Sequence, residues 1–182
     1  MIVKFIVASH DCFYSNMNNF RFISNIDIDE VFFPNNNKDL KSLVANQNMK
    51  LKHRHLKFER STILDKMRKF HGWNPAIPSH MYLLKNIYKS IYHTKVGPKT
   101  LMNTESALEF GSHYPRLCLR SQCRFLQLPY DQASCFHYRG ECKEGLRKYC
   151  DTESSIKDTR IWKYQEELIK QTSSTLKKLK LI

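Results

Sequence analysis

The chain opens on an apolar run, residues 1–8 (MIVKFIVA), interrupted by Lys4 alone before Ser9, His10 and Asp11 restore polarity. A run of this length predicts a buried strand; it is short for a signal-peptide core and far too short to span a bilayer. A second strand is predicted over residues 26–33 (IDIDEVFF), rich in β-branched and aromatic residues and stopped by Pro34 and three asparagines. Two strands alone are marginal, so helices must cover them. From residue 38 to about 70, Leu40, Leu43, Val44, Leu51, Leu56, Ile63, Leu64, Met67 and Phe70 recur mainly at helical steps with charges between them. This predicts one long helix, or two with a break near residues 46–48.

Gly72, Pro75 and Pro78 read as stop signals, and Ser79 as the N-cap of a helix over residues 80–93 that places Leu84, Ile87, Tyr88 and Ile91 on one face. A shorter helix is predicted at 103–110, closed by Gly111 and Pro115. Residues 117–128 alternate like a half-buried strand. From residue 158, with Asp158 as N-cap, Ile161, Tyr164, Leu168, Thr172, Leu176 and Leu179 follow at three- and four-residue steps. Lys170, Lys177, Lys178 and Lys180 sit toward the negative end of that helix's dipole. Together these patterns predict a mainly α chain with a small β component (α+β). In it, one domain packs helices around two or three short strands, with a cysteine-rich segment (111–152) near the C-terminus.

Composition agrees with that choice: 182 residues with 41% apolar content suit a single domain, and five glycines and six prolines argue against a barrel or sandwich of tight hairpins. Charge adds a second theme. The formal net charge is +13, and it is unevenly placed. Residues 1–49 carry four Lys/Arg against five Asp/Glu (net −1), whereas residues 50–71 carry eight against two (net +6). Such an excess draws a chain toward anionic partners. Lys50, Lys52, Arg54, Lys57, Arg60, Lys66, Arg68 and Lys69, interleaved with His53, His55, Phe58 and Phe70, offer phosphate contacts and stacking faces, and Arg116, Arg120 and Arg124 offer a second cluster. The reading that follows is a basic, non-enzymatic, intracellular protein that binds RNA or single-stranded nucleic acid. The alternatives are an assembly subunit docked on a protein partner and a viral or lineage-restricted accessory protein. No window approaches a transmembrane segment.

Cys118, Cys123, Cys135, Cys142 and Cys150 fall within 33 residues, with His137 among them. Zinc could draw on Cys118, Cys123, Cys135, His137, Cys142 and Cys150, although gaps of four, eleven, six and seven residues are not those of a tight knuckle. Disulfides and plain buried thiols are the other two readings, and the sequence leaves all three open. No Gly-rich phosphate loop, paired-carboxylate motif or HExxH is recognised, and no catalytic residue is assigned.

Two fragments resemble known motifs. Val96-Gly97-Pro98-Lys99-Thr100 is similar to the hairpin of helix-hairpin-helix DNA-binding elements, with His93-Thr94-Lys95 where that motif carries Leu-Pro-Gly. Ile87-Tyr88-Lys89, with the distant Gly145-Leu146-Arg147-Lys148 and the C-terminal helix, resembles the LYR group of small mitochondrial assembly proteins, with Leu146 where that group has phenylalanine.

Overall fold

The computed structural model describes residues 2–35, 39–47, 54–64, 77–78, 80–119, 122–142, 144, 150 and 155–182, with backbone alone for 2–6. In chain order the elements are α1 (Ile2–Asn16), β1 (Phe22–Ile23), β2 (Glu30–Pro34), α2 (Leu40–Asn46), β3 (Arg54–Leu64), α3 (Tyr82–Lys85) and β4 (Tyr88–Ser90). These are followed by β5 (His93–Asn103), β6 (Ala107–Glu109), β7 (Leu117–Cys118), β8 (Arg124–Gln127), β9 (Ala133–Arg139), β10 (Ser155–Lys157), a 3-10 turn (Arg160–Tyr164) and α4 (Gln165–Lys178). The chain divides into two compact units, Met1–Ser61 with His93–His137, and Thr62–Tyr92 with Tyr138–Ile182.

Strands dominate, which overturns the expected helix-rich α+β architecture. A six-stranded mixed sheet runs β1-β5-β3-β9-β2, with β8 parallel to β3. The predicted basic helix is in part β3: Leu56 and Phe58 enter the core on one side, while His55 is buried on the other. Burial on both faces erases the polar stripe that marks a half-exposed strand, so the cations scattered between apolar residues imitate a helical period. The run at residues 1–8 errs the opposite way, because it belongs to the fifteen-residue helix α1. Short apolar runs do not distinguish a strand from a buried helix; length does. The helix expected at 80–93 shrinks to α3, after which the chain extends into β4 and β5, and residues 107–109 of the helix expected at 103–110 form β6. Ser79 lies outside the described residues.

In the first unit, Phe32, Leu43, Leu56, Phe58, Leu101, Leu128, Ala133 and Cys135 form the main core beneath α2. That helix starts where the Asp39 carboxylate accepts the Ser42 N–H at 2.7 Å, a cap worth ~1 kcal/mol. A second cluster packs Phe13 of α1 on Met102, Ala107 and Phe110, with the Phe13 and Phe110 rings 5.1 Å apart. In the second unit β10 pairs with β4, and the Trp162 indole N–H donates to the Leu84 carbonyl at 3.0 Å. Asp158 does not cap α4, which begins seven residues later. Its carboxylate instead takes the Lys89 ammonium at 3.0 Å and the Arg160 guanidinium at 2.6 Å. Burial raises that carboxyl, but the two cations outweigh burial and hold it below its ordinary value. Among the described residues, no helix is long and apolar enough to cross a membrane.

Candidate active site at an acidic turn

Three of the five acidic residues in the first 49 positions stand together as Asp27, Asp29 and Glu30. The chain turns there before entering β2: the Glu30 N–H donates to the Asp27 carbonyl at 3.0 Å, and the Asp27 N–H donates to Glu30 Oε2 at 3.2 Å. Ile28 occupies the tip and is 95% exposed. The turn is set by partners from distant strands. Glu30 lies opposite His137 in the β2–β9 ladder, so both side chains leave the same face of the sheet. His137 Nε2 is 3.1 Å from Asp29 Oδ2, and its Nδ1 is 3.6 Å from Glu30 Oε1, within ion-pair range but too long for a hydrogen bond.

Lys99 of β5 completes the arrangement. Its side chain is 1% exposed, and its ammonium lies 2.9 Å from Asp27 Oδ2, 2.9 Å from Glu30 Oε2 and 3.4 Å from the Ser112 carbonyl. Burial alone would lower the Lys99 pKa, but its hydrogen bonds and charge contacts with Asp27 and Glu30 raise it above the ordinary lysine value. Burial correspondingly raises the Asp27 carboxyl, and the Lys99 hydrogen bond and charge, with His137 and His113 nearby, hold it lower than normal. The loop carrying Ser112 and His113 is fixed in turn. His113 Nδ1 sits 3.1 Å from the Pro98 carbonyl, and a Cβ at Gly111 would lie 2.3 Å from the Tyr114 carbonyl oxygen, so only glycine fits there.

An irregular stretch of β5 lies beside these residues. Between the pairs Phe58↔Lys99 and Arg60↔Thr94, β3 advances two residues while β5 advances five. Gly97 takes up the bend at φ 58°, where an added Cβ would lie 3.4 Å from the Arg60 guanidinium. The segment with hairpin resemblance, residues 96–100, is therefore a bulged strand, and Tyr88-Lys89 of the LYR-like fragment also lies in a strand; residues 145–148 are outside the described set.

Three carboxylates against one ammonium leave a formal charge of −2 with His137 neutral. An anionic substrate would be repelled by that charge unless a divalent cation accompanied it. Carboxylate oxygens suit Mg²⁺ or Mn²⁺. Asp27 and Asp29 are the residues able to reach such an ion, since their side chains are 54% and 41% exposed, whereas Glu30 is 1% exposed and engaged by Lys99. The sequence alone assigns no paired carboxylates; the structure places Asp27 and Asp29 on one turn. The alternation of isoleucine and aspartate at 26–29 looks like strand periodicity and conceals the pair.

The cysteines do not assemble the expected zinc set. Cys118 pairs with Cys123 and Cys142 with Cys150 as disulfides, which removes four thiolates from any ligand list. Cys135 is a free thiol buried in the core, its pKa driven up by burial, and His137 serves the acidic turn. His55 does approach Cys118 and Cys123 closely enough to suggest a metal trio, but its hydrogen bonds argue otherwise. The Asn103 N–H donates to Nδ1 at 3.0 Å, so the neutral ring carries its proton on Nε2, which faces Cys118 Sγ at 3.3 Å and Ser106 Oγ at 3.5 Å. A protonated nitrogen and a disulfide are not metal ligands.

Burial lowers the His55 pKa from 6.5 to about 4. The unfolded chain binds a proton near pH 6.5 that the folded chain refuses until about 4, so stability is whole above 6.5. It then falls by ~1.4 kcal/mol per pH unit between those values. His55→Asn keeps an acceptor for the Asn103 N–H and removes the titration. Its melting temperature is expected to drop less than the wild type's between pH 7 and pH 5, and equal drops would refute the assignment.

Five of the eleven proposed nucleic-acid contacts lie among the described residues. Arg54 and Arg124 are exposed register partners on β3 and β8, Lys57 is half-buried, and Arg60 is buried against Gly97. Arg116 is exposed and pairs with Glu109 at 3.6 Å. Lys50, Lys52, Lys66, Arg68, Lys69 and Arg120 lie outside the described residues. Comparison with known families settles the larger question: the family model for glycosyltransferase family 92 matches residues 3–172. No curated protein matches the chain. The family match overturns the nucleic-acid-binding reading and, with it, the assembly-subunit and accessory-protein alternatives.

Proposed function

Because the chain belongs to glycosyltransferase family 92, we propose that the acidic turn at residues 27–30 is where it transfers a sugar from a nucleoside-diphosphate donor to a hydroxyl group of an acceptor. The observation that carries this reading is the pair of exposed carboxylates, Asp27 held by a fully buried lysine and Asp29 held by His137. A divalent cation held by Asp27 and Asp29 would offset the charge of the departing diphosphate. The chain's own residues supply position. Lys99 fixes Asp27 and Glu30, His137 fixes Asp29, and strand pairing holds both supports against the turn. Neither support needs to move when substrate arrives, so the site is preorganised for charge. The two disulfides support folding in an oxidising compartment such as the secretory lumen.

The test is release of nucleoside diphosphate from a panel of uridine- and guanosine-diphosphate hexoses, with Mg²⁺ or Mn²⁺ and with chelator. Release from at least one donor, abolished by chelation, is expected. Cation-independent release, or none from any donor, would sink the reading.

A further inference from the structure

We propose that the cleft between the end of α1 and the β5–β6 turn binds the distal part of a neutral oligosaccharide acceptor. The cleft encloses about 510 Å³ and is lined by Asn18, Asn19, Phe20, Arg21, Glu105 and Leu119 among others. It presents two kinds of surface at once. Phe20 and Leu119 are 57% and 51% exposed, large apolar faces turned to solvent, and around them stand two amides, a guanidinium and a carboxylate. A sugar ring offers the complementary pair, a C–H face for the apolar groups and hydroxyls for the polar ones. Among the described lining residues Arg21 (+1) and Glu105 (−1) cancel, so these give no net attraction to a phosphate or an acidic chain.

The platform is rigid although its side chains are exposed. The Thr104 hydroxyl donates to the Phe20 carbonyl at 2.8 Å, and its N–H donates to the Arg21 carbonyl at 3.0 Å. The Leu119 N–H donates to the Ser106 carbonyl at 2.8 Å, and the neighbouring Cys118 is tied to Cys123. Fixed backbone beneath exposed side chains lowers the ordering cost of binding. The cleft and the acidic turn both border β5. Five residues of β5 lead from Thr104 back to Lys99. At 3.3 Å per residue that is on the order of 15–20 Å, a length a short oligosaccharide spans. The acceptor role rests on the glycosyl-transfer reading above; the saccharide site itself does not.

Saturation-transfer NMR with gluco-, manno- and galacto-oligosaccharides of one to six hexoses tests it. Oligomers of at least one series are expected to bind the wild type, with the longer members bound more tightly than the monosaccharide. Phe20→Ala is expected to weaken binding about ten-fold, Leu119→Ala less, and Asp29→Asn not at all, with near-ultraviolet circular dichroism confirming the fold of each variant. No binding by any series, or unchanged binding in Phe20→Ala, would overturn the proposal. If no donor is turned over yet binding depends on Phe20, the transfer reading falls and the saccharide site stands. If transfer occurs and Phe20→Ala leaves the KM for long acceptors unmoved, the cleft assignment falls alone.

Discussion

Asp29→Asn is expected to lower kcat/KM for sugar transfer by about 100-fold or more while the chain still folds. Its carboxylate is 41% exposed and pairs with His137 at the rim of the turn, so losing that pair costs ~1 kcal/mol of stability or less. On the proposed assignment, losing Asp29 as a cation ligand would remove charge stabilisation where the diphosphate departs, an effect of several kcal/mol, and two orders of magnitude in rate correspond to ~2.7 kcal/mol. Initial rates of nucleoside-diphosphate release at several Mn²⁺ concentrations measure it. If the loss is cation binding, raising Mn²⁺ recovers part of the rate. A variant that works at near wild-type speed would remove the turn from the mechanism.

Lys99→Met is expected to act through the fold. Glu30 is 1% exposed, and Lys99 is the cation beside it, so a neutral side chain at 99 leaves a buried carboxylate without its ammonium. Breaking one side of a buried pair typically costs 3–5 kcal/mol, which a urea midpoint resolves easily. The pH dependence has a definite sign. Asp27 titrates below its ordinary 3.8, so its share of the stabilisation is whole above that value and is lost as pH falls through the depressed pKa. Lys99 titrates above 10.5, so its share is whole below 10.5 and is lost as pH rises further. The deficit of the variant should therefore be flat across neutral pH and shrink at both extremes. A deficit under 1 kcal/mol would show that Lys99 is not the counter-ion described.

Some elements are legible in the sequence for a simple reason. Residues 165–178 repeat at three- and four-residue steps, and α4 lies there. Residues 117–128 alternate, and β7 and β8 lie within them as two short strands, with a disulfide joining Cys118 and Cys123. Position 99 is the opposite case. In sequence it is one lysine among many in a basic stretch, and its burial depends on acids 69 and 72 residues upstream. The same holds for His137, which falls among the cysteines and suggests a zinc ligand until strand pairing sets it against Glu30. Periodicity reports the local environment of an element; it carries no information about which distant charge it will meet.

The β2–β9 pairing has a consequence for biosynthesis. Phe32 lies opposite Cys135, 103 positions later, so a growing polypeptide exposes the β2 edge, phenylalanines included, until residues 133–137 have left the ribosome. Pairings of that sequence separation form slowly and leave unpaired edges open to wrong partners. The acidic turn consequently reaches its folded geometry only after residue 137 has emerged, and chaperone protection of the nascent segment is expected to raise the yield of folded protein.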